Sequence, residues 1–310
     1  PSPIFGPIHS RRLGVSLGVN LMPADGKICT FDCLYCECGF NADFRPKLKR
    51  PTREEVKVEL AKVLQQRHGN HEPLDVITFA GNGEPTAHPD FKAIIEDTID
   101  LRNRFFPEAK VSVLSNATMV YKPEVREALM MVDNNIQKLD TVDMEYIRRV
   151  DRPQQPSYDV KDVINNLKLF NGHVIIQTMF MCGDNTDNTS DKYILPWLEA
   201  MKEIKPQQVM VYTIDRETPD KLLRKASHET LDCIIKLRTI KKRMKQKNNI
   251  LIISDMCGYG KVSAAVQMPI LSYMGHDVYN LPTMLISNTF PYGKYAILES
   301  TSYIEEALQK

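Results

Sequence analysis

The chain has 310 residues, 43% of them hydrophobic and 25% charged, with a formal net charge of +1. That is the composition of a globular protein with room for a substantial core, in one large domain or two unequal ones. The near-neutral charge points to no strongly basic or acidic partner.

No run of about 18 apolar residues occurs, and the opening Pro-Ser-Pro-Ile-Phe-Gly carries no signal-peptide pattern. A cytoplasmic chain with no membrane association is therefore expected, and its Pro1 start suits a trimmed product. Seven cysteines, an odd number with four packed into residues 29–38, do not read as a secreted disulfide framework.

In chain order, Gly14-Val-Ser-Leu-Gly-Val-Asn-Leu-Met22 alternates as a strand and leads into the cysteine stretch. Thr52 with Glu55 three residues on predicts a capping box, followed by Val56, Leu60, Val63 and Leu64 on one helix face. Strand 74–80 ends in Gly81-Asn-Gly-Glu-Pro-Thr86, and a helix from about Asp90 turns Phe91, Ile94, Ile95 and Thr98 inward. Strand 111–115, helix 123–132, strand 136–140 and helices 143–150 and 159–170 follow. Asn171-Gly172 is a helix stop signal. Strand 173–181, helix 192–204, strand 208–214 and a helix from about Ser227 complete the series, the last with Leu231, Ile234, Leu237, Ile240 and Met244 inward.

Six strands alternating with helices predict an α/β fold with parallel pairing and right-handed crossovers. The strands read as apolar at nearly every position, as strands covered on both faces do. Functional groups are then expected at the strands' carboxyl ends, where the conspicuous polar motifs fall.

The most informative stretch is Lys27-Ile-Cys-Thr-Phe-Asp-Cys-Leu-Tyr-Cys-Glu-Cys38. Cys29, Cys33 and Cys36 form a C-x-x-x-C-x-x-C array, compact enough to wrap one face of an inorganic cluster. Structural zinc usually draws two separated ligand pairs instead. A four-iron cluster held by three cysteines keeps one iron open for a further ligand. This array, with the aromatic Tyr35 before its third cysteine, resembles the signature of the radical S-adenosylmethionine (SAM) superfamily.

The resemblance covers roughly residues 5–247 and implies a partial (β/α)6 barrel. Its cofactors would be a [4Fe-4S] cluster on Cys29, Cys33 and Cys36, and SAM. Gly81-Asn82-Gly83-Glu84-Pro85 resembles the motif that cradles the methionine end of SAM, with Asn82 as a departure also found in wyosine-forming tRNA enzymes. Glycines let backbone approach a ligand, and a carboxylate or exposed carbonyls can accept from an ammonium. A tight strand-to-helix turn would need the same glycines.

Ser115, Asn116 and Asp140 cap neighbouring strands and are expected near the ribose or carboxylate of SAM, although Ser-Asn is also ordinary turn chemistry. Gln177, Thr178, Tyr212 and Asp215 are expected to line the substrate side. The implied reaction reduces SAM to methionine and a 5′-deoxyadenosyl radical, which abstracts hydrogen from a substrate. A nucleotide in RNA and a partner protein are both candidates, and a flavodoxin- or ferredoxin-type protein is the implied electron donor.

Cys38 is a spare thiol near the cluster, or the fourth ligand of an alternative zinc-stabilised binding module. Cys182 faces the presumed mouth, Cys233 suits a buried helix position, and His88 suits a turn. His68 and His71 read as solvated. The run Lys236–Lys247 holds seven basic residues and no acid, the pattern of a wet helix face or of an RNA contact.

From Asn248 the pattern changes, giving domains 1–247 and 248–310. Strand 250–255, a helix through Met274 and a strand at 278–281 form a βαβ piece of about 60 residues, too small to bury its own core. Ser254, the Tyr259-Gly260 turn and Ser287-Asn-Thr-Phe-Pro-Tyr-Gly293 resemble the N-terminal edge of a pyridoxal or pyridoxamine kinase of the ribokinase-like fold. That likeness implies a pyridine contact for Ser254. No Gly-x-Gly-Asp motif is present, so an interrupted fusion is expected rather than a kinase.

Overall fold

A strand followed by a helical crossover returns to the sheet parallel to its predecessor, and this rule sets most of the architecture. The structure, a computed structural model, describes residues 2–10, 14–216, 218–243, 249–257, 277–286 and 297–299, with side chains as far as residue 236. It divides into two compact units, Pro1–Leu231 and Asp232–Lys310.

In the first unit the elements run β1 (Ile4–Ser10), β2 (Gly14–Val19), α1 (Arg53–Gly69), β3 (Val76–Phe79), α2 (Phe91–Phe105), β4 (Lys110–Ser115) and α3 (Pro123–Met131). They continue with β5 (Asn134–Lys138), α4 (Met144–Tyr146), α5 (Val160–Lys168), β6 (Ile175–Met179), β7 (Met181–Cys182), α6 (Asp191–Ile204), β8 (Gln208–Tyr212) and β9 (Arg224–Lys225). Helix α7 (His228–Arg243) follows.

Strands β2, β3, β4, β5, β6 and β8 pair in parallel, in that order. Strand β1 adds antiparallel to β2, making a seven-stranded sheet. Sequence reasoning missed β1 because Gly6-Pro7 interrupts it. The structure absorbs that break as a register irregularity between Phe5 and Ile8.

The helices cover one face of this sheet. Phe79 meets Phe91 of α2 edge to face at 6.5 Å, and Thr178 accepts from the Trp197 indole of α6 at 3.1 Å. Ile77, Val111, Val113 and Ile176, which share that face by strand alternation, are fully buried.

The opposite face carries Ser16, Thr78, Ser112, Asn134 and Gln177 at matching register positions. Ser16 and Thr78 share a buried 2.9 Å hydrogen bond, and Asn134 donates to Ser112 at 2.8 Å. Apolarity on both faces was the expectation, and this inner face departs from it. Gly14, Val76, Asn134, Gln208 and Met210 line one cavity of about 750 Å³ at the strands' amino ends. Residues from opposite margins of the sheet share that space, so the sheet curls into an open barrel with a partly polar lumen.

The expected capping box is present: Glu55 N donates to Thr52 Oγ1 at 3.2 Å and Thr52 N to Glu55 at 2.6 Å. Phe91, Ile94, Ile95 and Thr98 are the buried face of α2, as read. The helix expected over 143–150 is instead one short turn, α4, running into a π-turn at Ile147–Asp151. It closes with Arg152 in the left-handed region at φ 54° and Arg152 N donating to Ile147 O at 2.8 Å.

In the second unit, β10 (Asn249–Cys257) and β11 (Asp277–Ile286) pair in parallel, and β12 (Ile297–Glu299) adds antiparallel to β11. Ser254 lies on β10 opposite Pro282. The expected helix through Met274, the Tyr259-Gly260 turn and the Ser287–Gly293 stretch lie outside the described residues, as do the side chains of Leu237, Ile240 and Met244. Among the described residues no helix is long and apolar enough to cross a membrane.

Truncating Ile77, fully buried in β3, to alanine should destabilise the first unit by about 2–5 kcal/mol. Fluorescence of Trp197, the chain's single tryptophan, during denaturant titration measures this.

Candidate functional site

The loop between β2 and α1 carries the clustered thiols and has no helix or strand of its own. Its backbone is held by side chains. Asn41 accepts from Cys29 N at 3.2 Å and donates to the carbonyls of Cys29 and Phe31, both at 3.1 Å. The buried Lys27 donates to Gly39 O at 2.5 Å and pairs with Asp32 at 3.3 Å. Asp32 in turn accepts from Asn41 N at 2.8 Å. From outside, the π-turn offers carbonyls: Asp151 O takes Asp32 N at 3.0 Å, and Val150 O takes Leu34 N at 2.9 Å.

The glycine motif is bonded to this same loop. Ile28 and Gly83 form a parallel bridge, with Ile28 N donating to Asn82 O at 3.1 Å and Glu84 N to Ile28 O at 3.3 Å. Gly83 has φ 148°, and a Cβ placed on it would run into the Ile28 carbonyl. Gly81, at φ 139°, leaves a Cβ only 2.5 Å from the Asn20 side chain, which accepts from Asn82 N at 3.2 Å. Positive φ thus favours glycine at both positions, and close backbone approach adds to it at Gly83.

Several residues expected to touch SAM are turned to structural work. The Glu84 carboxylate is fully buried and accepts from Asn116 N at 2.6 Å and from Thr86 N and Oγ1 at 3.1 and 2.5 Å. Burial pushes its carboxyl up, against these hydrogen bonds.

Ser115 falls on the helix-facing side of β4 and accepts from Ala117 N at 3.0 Å. Asn116 donates to Thr30 Oγ1 at 2.8 Å and reaches Cys29 Sγ at 3.6 Å. Asp140, 3% exposed, accepts from the Tyr35 hydroxyl and from Met179 N at 2.9 Å, and pairs with Lys138 at 3.0 Å.

On the substrate side the outcome is mixed. Gln177 lies on the lumen face of β6 and stays half-buried, and Tyr212 packs against the apolar cluster around Cys33, Tyr35 and Met179. Thr178 does not belong there: strand alternation points it to α6, fully buried and hydrogen-bonded to Leu139 O and Trp197. Asp215 is exposed and pairs with Lys225 at 3.8 Å. Cys233 is exposed rather than buried. His88 serves its turn, with Nδ1 accepting from Asp90 N at 3.1 Å and Nε2 therefore donating to Pro51 O at 2.8 Å.

Sequence reasoning missed Asn41, Asn20 and the pair Lys138–Asp151. Only Lys138 left a readable signal, as a cation inside a strand whose neighbours are buried.

The thiols share one loop but not one electrostatic setting. Burial pushes Cys29 up to about 11 and Cys33 well above the ordinary thiol range, with Lys138 opposing the latter. A hydrogen bond with Cys38 draws Cys36 down despite its burial. Cys38 also donates to Gly81 O at 3.5 Å. A metal centre here must therefore displace protons as it binds.

Among the described residues no three His, Cys, Asp or Glu side chains converge as the ligands of a single ion do. Cysteines on one cluster each bind a different iron and stand farther apart than ligands of one zinc. Three free thiols, the Asn116 amide at Cys29 and an apolar surround of Phe31, Tyr146 and Met179 fit a cluster better than a zinc ion.

Residues 25–198 match the Radical SAM superfamily. A UPF0026 protein of Helicobacter pylori is 32% identical over 239 residues, which cover 75% of this chain and 73% of that protein. The crystal structure of Streptococcus suis SuiB bound to S-adenosylmethionine matches with TM-score 0.52 and 17% identity, over 73% of this chain and 48% of SuiB. This chain thus spans about half the length of SuiB. A structure of TYW1 with a lysine-pyruvate adduct bound matches with TM-score 0.51 and 16% identity, over 72% of each chain. The open barrel described above is the fold these proteins share.

Replacing Gly83 by alanine should cost at least about 1–3 kcal/mol from backbone strain alone, because its φ is 148° and the Ile28 carbonyl blocks a Cβ. Gly69→Ala, where nothing lies within 4 Å, should stabilise α1 by about 0.5–1 kcal/mol. Trp197 fluorescence reads both.

Burial lowers the His88 pKa from its ordinary 6.5. Its contribution to stability is therefore fully present above pH 6.5 and declines as pH falls, until the folded chain protonates. His88→Gln should flatten that part of the stability–pH curve, measured by the same titration repeated across pH.

Proposed function

The chain belongs to the radical SAM superfamily, an enzyme family of SAM-dependent radical chemistry whose cofactors are a [4Fe-4S] cluster and SAM. From that premise we propose that it is an oxidoreductase whose substrate is a polar, uncharged group admitted to the barrel lumen. When bound, the cluster and SAM supply an electron and a 5′-deoxyadenosyl radical that abstracts hydrogen.

The observation that carries this reading is the bridge between Ile28 and Gly83, which joins the thiol loop to the glycine turn. Cys29, Cys33 and Cys36 would hold the cluster. The carbonyls of Gly81–Glu84, which have two lone pairs each, would accept from the methionyl ammonium beside their internal bonds, whereas the Glu84 carboxylate is buried in bonds to Thr86 and Asn116. Asn116 orients Cys29 by its amide, and Tyr35 is fixed by Asp140. Ser115, Asn116 and Asp140 act chiefly by positioning.

No side-chain nucleophile is required of the protein. Its part is to hold the reacting groups together and exclude water. Phe31, Tyr146, Met179 and Ile214, all buried, supply that dry surround. Gln177, Met210 and Tyr212 share the lumen face by register, and they suit an uncharged polar group better than a phosphate.

The base of a nucleotide in RNA and an uncharged side chain of a partner protein both satisfy this description. SuiB binds a precursor peptide, which supports the second. A flavodoxin- or ferredoxin-type protein is the electron donor of this proposal.

We retain residues 1–247 as the catalytic core and 248–310 as an appended piece. The parallel pairing of β10 and β11 supports a ribokinase-like strand pair, with Ser254 in its first strand. Without Gly-x-Gly-Asp, no phosphoryl transfer is proposed.

The anaerobically reconstituted chain should be brown, contain about four irons and release 5′-deoxyadenosine on reduction with SAM. Alanine at Cys29, Cys33 or Cys36 should remove product and most iron, whereas Cys38→Ala should keep both. A colourless wild type with stoichiometric zinc and no product would sink the proposal.

A further inference from the structure

Lys138 stands at the carboxyl end of β5, on the lumen side and beneath the cysteine loop. Its ammonium lies 2.6 Å from Asp151 and 3.0 Å from Asp140. It also sits 4.8 Å from the centre of the Phe31 ring and 5.5 Å from that of Tyr35, and both rings belong to the loop between the cysteines. The two acids are loop anchors themselves: Asp140 accepts from the Tyr35 hydroxyl, and the Asp151 carbonyl accepts from Asp32 N. One cation thus gathers four attachments of a loop that has no regular structure.

Cations over aromatic faces are attracted to the ring quadrupole, more strongly when desolvated, and a buried ion left without its partner is costly. Lys138 is not placed to act as an amine. Burial disfavours its charge, but the Asp140 and Asp151 carboxylates outweigh that and hold it as an ammonium. An ammonium cannot attack a carbonyl. What remains is its charge, set against the rings of Phe31 and Tyr35, which flank Cys33 in the loop.

We infer that Lys138 is a positioning residue whose positive charge, set against Asp140 and Asp151, raises the reduction potential of the cluster ligated by the loop. The inference rests on the cluster reading above and adds the control of its redox poise. Net charge, hydrogen bonding and burial set the potentials of iron–sulfur clusters. Reduction adds a negative charge, so a nearby cation favours the reduced state and a nearby carboxylate opposes it.

The three side chains form one positive and two negative charges, a formal −1 when all are ionised. Substitution can move that charge both ways. Lys138→Met makes it −2, Asp151→Asn makes it 0, and the double variant restores −1. Lys138→Arg keeps it unchanged.

The test is the midpoint potential of the reconstituted full-length holoprotein, followed by electron paramagnetic resonance. It should be run at about pH 8.5, above the usual carboxylate range. Asp151→Asn should lie above wild type, Lys138→Met below it, and the double variant and Lys138→Arg close to it. If Lys138→Met does not fold, the rise in Asp151→Asn and the level value in Lys138→Arg still decide the matter.

A normal cluster whose potential ignores these changes, or moves in the opposite order, overturns the inference and leaves the cluster reading standing. A wild-type chain that assembles no cluster overturns both.

Discussion

A peptide loop with no helix or strand of its own must still pair its buried backbone groups, and everything at this site follows from how that requirement is met. The loop from Lys27 to Gly39 takes acceptors from the Asn41 side chain, from the carbonyls of the π-turn and from the glycine turn after β3. A regular α-helix at Ile147–Asp151 would direct the Val150 and Asp151 carbonyls along its own axis. The wider turn, ending with Arg152 in the left-handed region, releases them to Leu34 and Asp32. Such turns recur where function demands a departure from regular geometry.

The two faces of the sheet divide the labour. Trp197, Phe91, Ile77 and Val113 pack the helix side at very low exposure, and that burial supplies the stability. The lumen side carries hydroxyls and amides whose partners lie along the same face. Each buried hydroxyl there must find a partner to avoid a desolvation cost, and Ser16 and Thr78 find one another.

Much of this was legible beforehand, and what was not has physical causes. Alternating strands and helices, the capping box at Thr52–Glu55 and the inner face of α2 are local or periodic properties, and they follow from the residues. The cysteine array and the glycine turn are short patterns with few alternative uses. Direction was not legible. Ser115, Glu84 and Thr178 sit near the strand ends, as expected, and the structure buries and hydrogen-bonds all three within the fold. Strand alternation decides the matter for Ser115 and Thr178, and the register needed to apply it depends on pairing that sequence does not print. Strand β1 was hidden by Gly6-Pro7, and Asn41 by the lack of any pattern around it.

The bridge between Ile28 and Gly83 makes two stretches, more than 50 residues apart in sequence, a single inseparable part. Grafting residues 27–44 onto another barrel would leave behind the turn that receives Ile28, the carbonyls that receive Asp32 and Leu34, and the amide beside Cys29. The smallest transplantable piece therefore spans β3, the start of the stretch after β4, and the π-turn as well. Heredity faces the same restriction as the engineer: insertions and recombination breakpoints are tolerable in the outer connections, while the inner ones must travel together.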